Sequence, residues 1–214
     1  MRTVLFVAFA LLILNSCSKD DYSGSGNTIS EFREVSAFSK ISTEGTFIVN
    51  ISQGSKQSLE VIADDNIINR VKTAVSGDQL KIYLEDGNYK NIYLEVNITV
   101  SDLNEITNEG TGNVTVFKLE STGNMHIENV GSGNISMAGY VENLYIKNEG
   151  SGIIKCAELM AAKVEVSIEG SGDCEVYCTE NLIVWIEGSG NVYYLGNPVT
   201  ELNVSGTGRV IPMN

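Results

Sequence analysis

From about Phe38 to the C-terminus, apolar and polar residues alternate with a period of two, the pattern of half-buried β-strands. Val49 and Ile51 share one side of Thr46 to Ser52, Leu59, Val61 and Ala63 share another, and Leu80, Ile82 and Leu84 alternate with Lys81, Tyr83 and Glu85. Ile92, Leu94, Val96, Ile98 and Val100 continue the pattern. Between them Ile67, Ile68, Val71 and Val75 are spaced for one face of a helical turn or two behind an Asp cap, so a short helix or an irregular excursion is expected within 65–76.

The second half is periodic on a longer scale. Glycine–serine/threonine–glycine recurs at Gly110 and Gly112, Gly131 and Gly133, Gly150 and Gly152, Gly170 and Gly172, Gly188 and Gly190, and Gly206 and Gly208. The first glycines are 21, 19, 20, 18 and 18 residues apart. Aligned on them, Ile106, Ile127, Ile146, Val166, Val184 and Leu202 form one apolar column, and Val114, Ile135, Ile154, Cys174, Val192 and Val210 form a second. Such a repeat predicts a stack of coils, each burying its face only against its neighbours. The expected fold is all-β, a right-handed parallel β-helix or solenoid with coils of about 19 residues. Its glycines form corners where positive φ or close backbone approach is required. A second corner is expected near Ser121–Gly123, Gly139, Glu158–Met160, Cys178–Asn181 and Gly196–Pro198. Asn108, Asn129 and Asn148, followed in their column by Ile168, Ile186 and Val204, predict an internal asparagine ladder. Glu44-Gly45-Thr46-Phe47 reads as a degenerate first copy, so 31–105 is expected to hold irregular coils and 106–214 regular ones.

The N-terminus is of another kind. Arg2 precedes the apolar run Val4–Leu14, too short to span a bilayer, so 1–16 reads as a signal peptide. Leu14-Asn15-Ser16-Cys17 resembles the lipobox of bacterial lipoproteins, which implies lipidation of Cys17 and a lipid anchor in the outer membrane. Ser18-Lys19-Asp20-Asp21 resembles the surface-export signal of Bacteroidetes lipoproteins and implies outward exposure. Residues 17–30 are then expected to be a flexible tether, and 31–214 one domain.

The body resembles the auto-transporter adhesin "head GIN domain" family over about 32–214, through its glycine repeats and through the opening Arg33-Glu34-Val35-Ser36-Ala37-Phe38-Ser39-Lys40-Ile41. The resemblance implies a β-helix-like architecture, no catalytic residues and a role in adhesion at the cell surface.

Composition narrows the chemistry. A formal charge of −13 opposes nucleic-acid binding, which needs clustered Lys and Arg. No cofactor is expected. Glu149, Glu169 and Glu187, each just before a motif glycine, form a carboxylate row that fits weak cation binding better than glycosidase chemistry, which needs two carboxylates in unlike environments. A polysaccharide lyase is the enzymatic alternative on such a rod, and a structural component of an envelope complex is another. Lone His126 reads as a surface residue, and Cys156, Cys174 and Cys178 as separate thiols, with a Cys156–Cys178 bridge left open. Outward aromatic and aliphatic side chains suit a glycan or a protein ligand: Tyr145, Ile183 and Trp185 in one set, Tyr177 and Tyr193 in another. Self-association stays open.

Overall fold

The computed structural model describes residues 20–213; the expected signal peptide and Cys17 lie outside them. In chain order the strands are β1 (Asp21–Ser23), β2 (Thr28–Phe32), β3 (Lys40–Thr43), β4 (Ile48–Gln53), β5 (Ser58–Asp64), β6 (Val71–Ser76), β7 (Gln79–Leu84), β8 (Asn88–Lys90) and β9 (Leu94–Val100). They continue as β10 (Glu105–Asn108), β11 (Asn113–Glu120), β12 (Asn124–Asn129), β13 (Ile135–Asn148), β14 (Ile154–Ile168), β15 (Cys174–Ile186), β16 (Val192–Leu195), β17 (Val199–Val204) and β18 (Val210–Pro212).

The all-β expectation holds, but the right-handed parallel β-helix does not. The strands form a mixed sheet curled into a half-barrel. β5 runs antiparallel to both β2 and β9, and β6 antiparallel to β7. The N-terminal part is therefore not a looser copy of the repeats. The apolar alternation of β5, β6 and β7 is the same for either strand direction, so it could not report the reversal. Gly77-Asp78 turns β6 directly into β7, with Gly77 at φ +62°. Helix is reduced to one 3-10 turn, Ile68–Arg70, and Val71–Ser76 is strand.

From β10 onward the strands run parallel in two ladders that face each other across the core. One passes from β3 through β10, β12, β13, β14 and β15 to β17; the other passes from β4 through β11, β13, β14 and β15 to β16 and β18. β13, β14 and β15 serve both ladders. The second corners are thus bends inside continuous strands, absorbed by register shifts at Ser136/Ala138, Cys156/Met160 and Ala161/Lys163. The apolar columns meet as aligned: Ile41, Ile106, Ile127, Ile146, Val166, Val184 and Leu202 are successive register partners.

Of the two causes expected for the motif glycines, close backbone approach is found and positive φ is not. None has positive φ. Each lies directly on the preceding turn: a Cβ on Gly131 would stand 1.8 Å from the carbonyl oxygen of Gly110, and one on Gly150 1.8 Å from that of Gly131. Gly110 and Gly112 in turn rest on the backbones of Gly45 and Phe47, so the degenerate first copy does occupy the first rung. Inside the turns the asparagine ladder forms. Thr43 Oγ1 donates to Asn108 Oδ1 (2.9 Å), Asn108 Nδ2 to Asn129 Oδ1 (3.2 Å) and Asn129 Nδ2 to Asn148 Oδ1 (3.2 Å). Asn148 Nδ2 closes the run on the Gly152 carbonyl (2.9 Å), and Ile168 takes over the column.

The stretch expected as a tether is partly built into the body. β1 pairs with β8 and β2 with β5. The buried Asp64 carboxylate accepts from the backbone N–H groups of Gly26 (2.8 Å) and Tyr93 (2.7 Å), which fixes the strap between the two strands.

Candidate binding face

On a strand, alternate side chains leave the core, and parallel register stacks them into outward columns. On the ladder that ends in β17, one column reads Lys40, Glu105, His126, Tyr145, Glu165, Ile183 and Glu201. Its neighbour reads Ser42, Thr107, Glu128, Lys147, Ser167, Trp185 and Asn203. Together they frame a shallow groove of ≈ 330 Å³.

The groove contains both stacking surfaces and polar groups. The His126 and Tyr145 rings lie almost parallel, 9° apart with centroids at 4.6 Å, and so form a stacked pair across neighbouring strands. Trp185, 38% exposed, stands at the other end, beyond Ser167. Glu165 stands between them, Glu128 and Lys147 flank the two stacked rings, and Glu105 lines the groove on the far side of His126. Glu105 is itself paired with Lys40 at 3.7 Å.

Of the five aromatic and aliphatic candidates, the fold brings Tyr145, Ile183 and Trp185 onto this face. Tyr177 and Tyr193 belong to the other ladder, where Tyr193 stands between Glu175 and Ile211 and Tyr177 between Met160 and Leu195. A second depression of ≈ 550 Å³ on that side is lined by Phe117, Lys155 and Glu158 among others, and by neither tyrosine. His126, Glu105, Glu128 and Glu165 were missed as site residues. Their signal was present in the sequence: they stand five or three positions before a motif glycine, in the same columns as Tyr145 and Trp185.

The carboxylate row is engaged by an amine. Lys147 donates to Glu149 and lies 3.6 Å from Glu169, so it sits between two neighbouring turns of the row. The hydrogen bond to Glu149 and the charges of Glu149, Glu169 and Glu128 raise the Lys147 pKa against a smaller opposing effect of desolvation. At the first rung Lys81 pairs with Glu44 (3.1 Å). Among the described residues no group of three or more His, Cys, Asp or Glu could hold a metal ion. Cys156, Cys174 and Cys178 are buried free thiols. Cys156 pairs in register with Val176 and Cys178 with Ala161, so no bridge joins Cys156 to Cys178. Burial pushes the Cys174 thiol up to about 12 and the Cys156 thiol higher still.

Residues 37–198 match the family described as "Putative auto-transporter adhesin, head GIN domain". Among solved structures the chain is similar to a "putative adhesin" of Bacteroides fragilis, with TM-score 0.76 and 24% identity over 90% of this chain and 100% of that one. A "putative lipid binding protein" of Parabacteroides distasonis superposes with TM-score 0.62 and 23% identity, covering 91% of this chain and 100% of the other. A "putative adhesin" of Parabacteroides merdae gives TM-score 0.59 and 18% identity over 91% and 100%. These likenesses concern the fold. Comparison with curated proteins gives no match.

Proposed function

The chain belongs to the auto-transporter adhesin head GIN domain family, and from that premise we propose that it is a non-enzymatic adhesion protein of the cell surface. It binds a glycan or surface-protein ligand along the groove between Trp185 and the His126–Tyr145 stack. The observation that carries this reading is an aromatic stack and a half-exposed Trp185 on one rigid sheet face, with the Glu165 carboxylate between them and Glu105 and Glu128 alongside. Sugar rings present apolar faces for stacking and hydroxyl donors at their edges, so such a face matches both parts of a glycan. In this reading the lipid anchor at Cys17 holds the protein in the outer membrane, facing outward.

The test is a glycan and host-protein array probed with the wild-type chain and with Trp185→Ala, Tyr145→Ala and Tyr193→Ala. The first two variants should lose about tenfold in affinity each, the loss of roughly one stacking contact. Tyr193→Ala, on the other side, should bind as wild type. An unchanged profile for Trp185→Ala and Tyr145→Ala removes the groove as the binding site. Cys17→Ala should move the protein from the membrane to the soluble fraction; retention there would refute the anchor.

A further inference from the structure

The two ends of the stack differ in finish. At the N-terminal end Arg33 lies across the β6 edge, with its guanidinium donating to the carbonyls of Val71 (2.7 Å) and Ile68 (3.0 Å) and to Thr73 Oγ1 (3.3 Å). At the other end β17 pairs only with β15, and no strand of the described residues covers its far side. The N–H of Ser205 reaches back to the Ile186 carbonyl (2.9 Å), so the odd-numbered residues of β17 aim their backbones at β15. Thr200, Leu202 and Val204 therefore present three N–H and three C=O groups outward. They also continue the inner column, and among the described residues no further rung covers them: Leu202 is 48% and Val204 46% exposed, with Val199 at 75%. Neighbouring β18 is blunted by Pro212, which has no N–H to offer. β17 carries no such protection, and a bare apolar edge recruits another strand.

We propose that the β17 edge is a homotypic docking surface, on which a second copy of this chain pairs through its own β17, antiparallel about a two-fold axis at Leu202. Strand pairing preserves the sheet face, so inward residues must meet inward residues. In the central register Leu202 faces Leu202 of the second copy, and Val204 faces Thr200. All three are hydrogen-bonded positions, so the pairing makes six backbone hydrogen bonds and continues the apolar column across the axis. Charge fits the same register. Glu201, the one ionised residue of β17, faces Asn203 of the second copy and not another carboxylate, although the chain as a whole is strongly acidic. Heterologous pairing of β17 with the β2 edge would instead leave a free edge at each end and grow without closing. Paired through β17, the two N-terminal ends point in opposite directions. Two copies anchored at Cys17 would then meet from facing membranes. Pairing does not require ligand capture at the groove, so either reading can fail without the other.

The experiment uses the full chain with Cys17→Ser in mild detergent, followed by sedimentation velocity. A concentration-dependent dimer is expected. Leu202→Cys should cross-link to itself on mild oxidation, because hydrogen-bonded antiparallel partners stand about 5.5 Å apart, within disulfide reach. Thr200→Pro removes an outward N–H while leaving the β15 side intact, and should raise the dimer dissociation constant by at least about tenfold with an unchanged urea midpoint. Asn203→Glu should weaken the dimer several-fold and Asn203→Lys should tighten it. A monomer at every concentration, species growing beyond a dimer, or failure of Leu202→Cys to cross-link would each overturn the proposal.

Discussion

The N-terminal part, where parallel and antiparallel pairs mix, and the wholly parallel C-terminal part are built from the same alternating sequence and held by different means. In the C-terminal part every turn rests on the one before it, and glycine packing and the asparagine ladder repeat from rung to rung. Each repeat there contacts only its neighbours, so the geometry of one is imposed on the next. In the N-terminal part the contacts are individual. A two-residue turn at Gly77-Asp78 reverses the chain, the Asp64 carboxylate fastens a strap, Arg33 covers an edge, and Arg70 lies 3.5 Å from the Tyr22 ring centroid beside the Tyr22–Tyr89 stack. Regularity makes a surface of aligned columns, which is where the aromatic groove lies. Irregularity closes an end. The candidate binding face and the uncovered edge therefore both fall in the regular part.

The largest expected effect separates the two kinds of glycine. Gly150→Ala drives a Cβ into the backbone of Gly131 and should cost at least about 4 kcal/mol, or prevent folding. Gly77→Ala meets nothing within 4 Å and suffers only from its positive φ, so about 1 kcal/mol is expected. Urea denaturation of both variants checks this, and equal costs would break the distinction between stacked and turning glycines. Next in size are the polar fastenings. Asn129→Ala cuts the ladder on both sides and should lower global stability by about 2 kcal/mol. Asp64→Ala should act locally, raising amide exchange at Gly26 and Tyr93 more than at β13–β15; a uniform rise would mean that the strap and the ladders open together. The smallest perturbation is a probe. The thiolate is the reactive form, and Cys156 and Cys174 are buried with raised pKa, so at pH 8 both should label at least about a hundredfold more slowly in the folded protein than in urea. Fast native labelling would show that the parallel part opens readily.

Much of the regular part was legible. Ile106, Ile127, Ile146, Val166 and Val184 announce a buried column because their spacing follows the glycines, and Asn108, Asn129 and Asn148 announce a ladder for the same reason. The groove was half legible. Tyr145 and Trp185 were visible as outward aromatics, whereas His126 read alone looked incidental, and only its register with Tyr145 makes it half of a stacked pair. Illegible were the reversal of β5 and β6, the incorporation of β1 and β2 into the body, and the continuity of β13, β14 and β15 through bends where corners were expected. Each depends on a partner distant in the chain.

Alternation of apolar side chains by itself determined that this protein is made of strands, and the glycine period determined how far apart equivalent positions fall. The first is local, set by side chains that leave a strand on alternate sides; the second is written into the sequence once per turn because each motif glycine lies too close to the turn before it to admit a Cβ. Strand direction, the sharing of ladders by β13–β15 and the curl into a half-barrel were decided only in the tertiary structure. A strand's apolar face is satisfied by a parallel or an antiparallel neighbour, and long-range packing chooses between them.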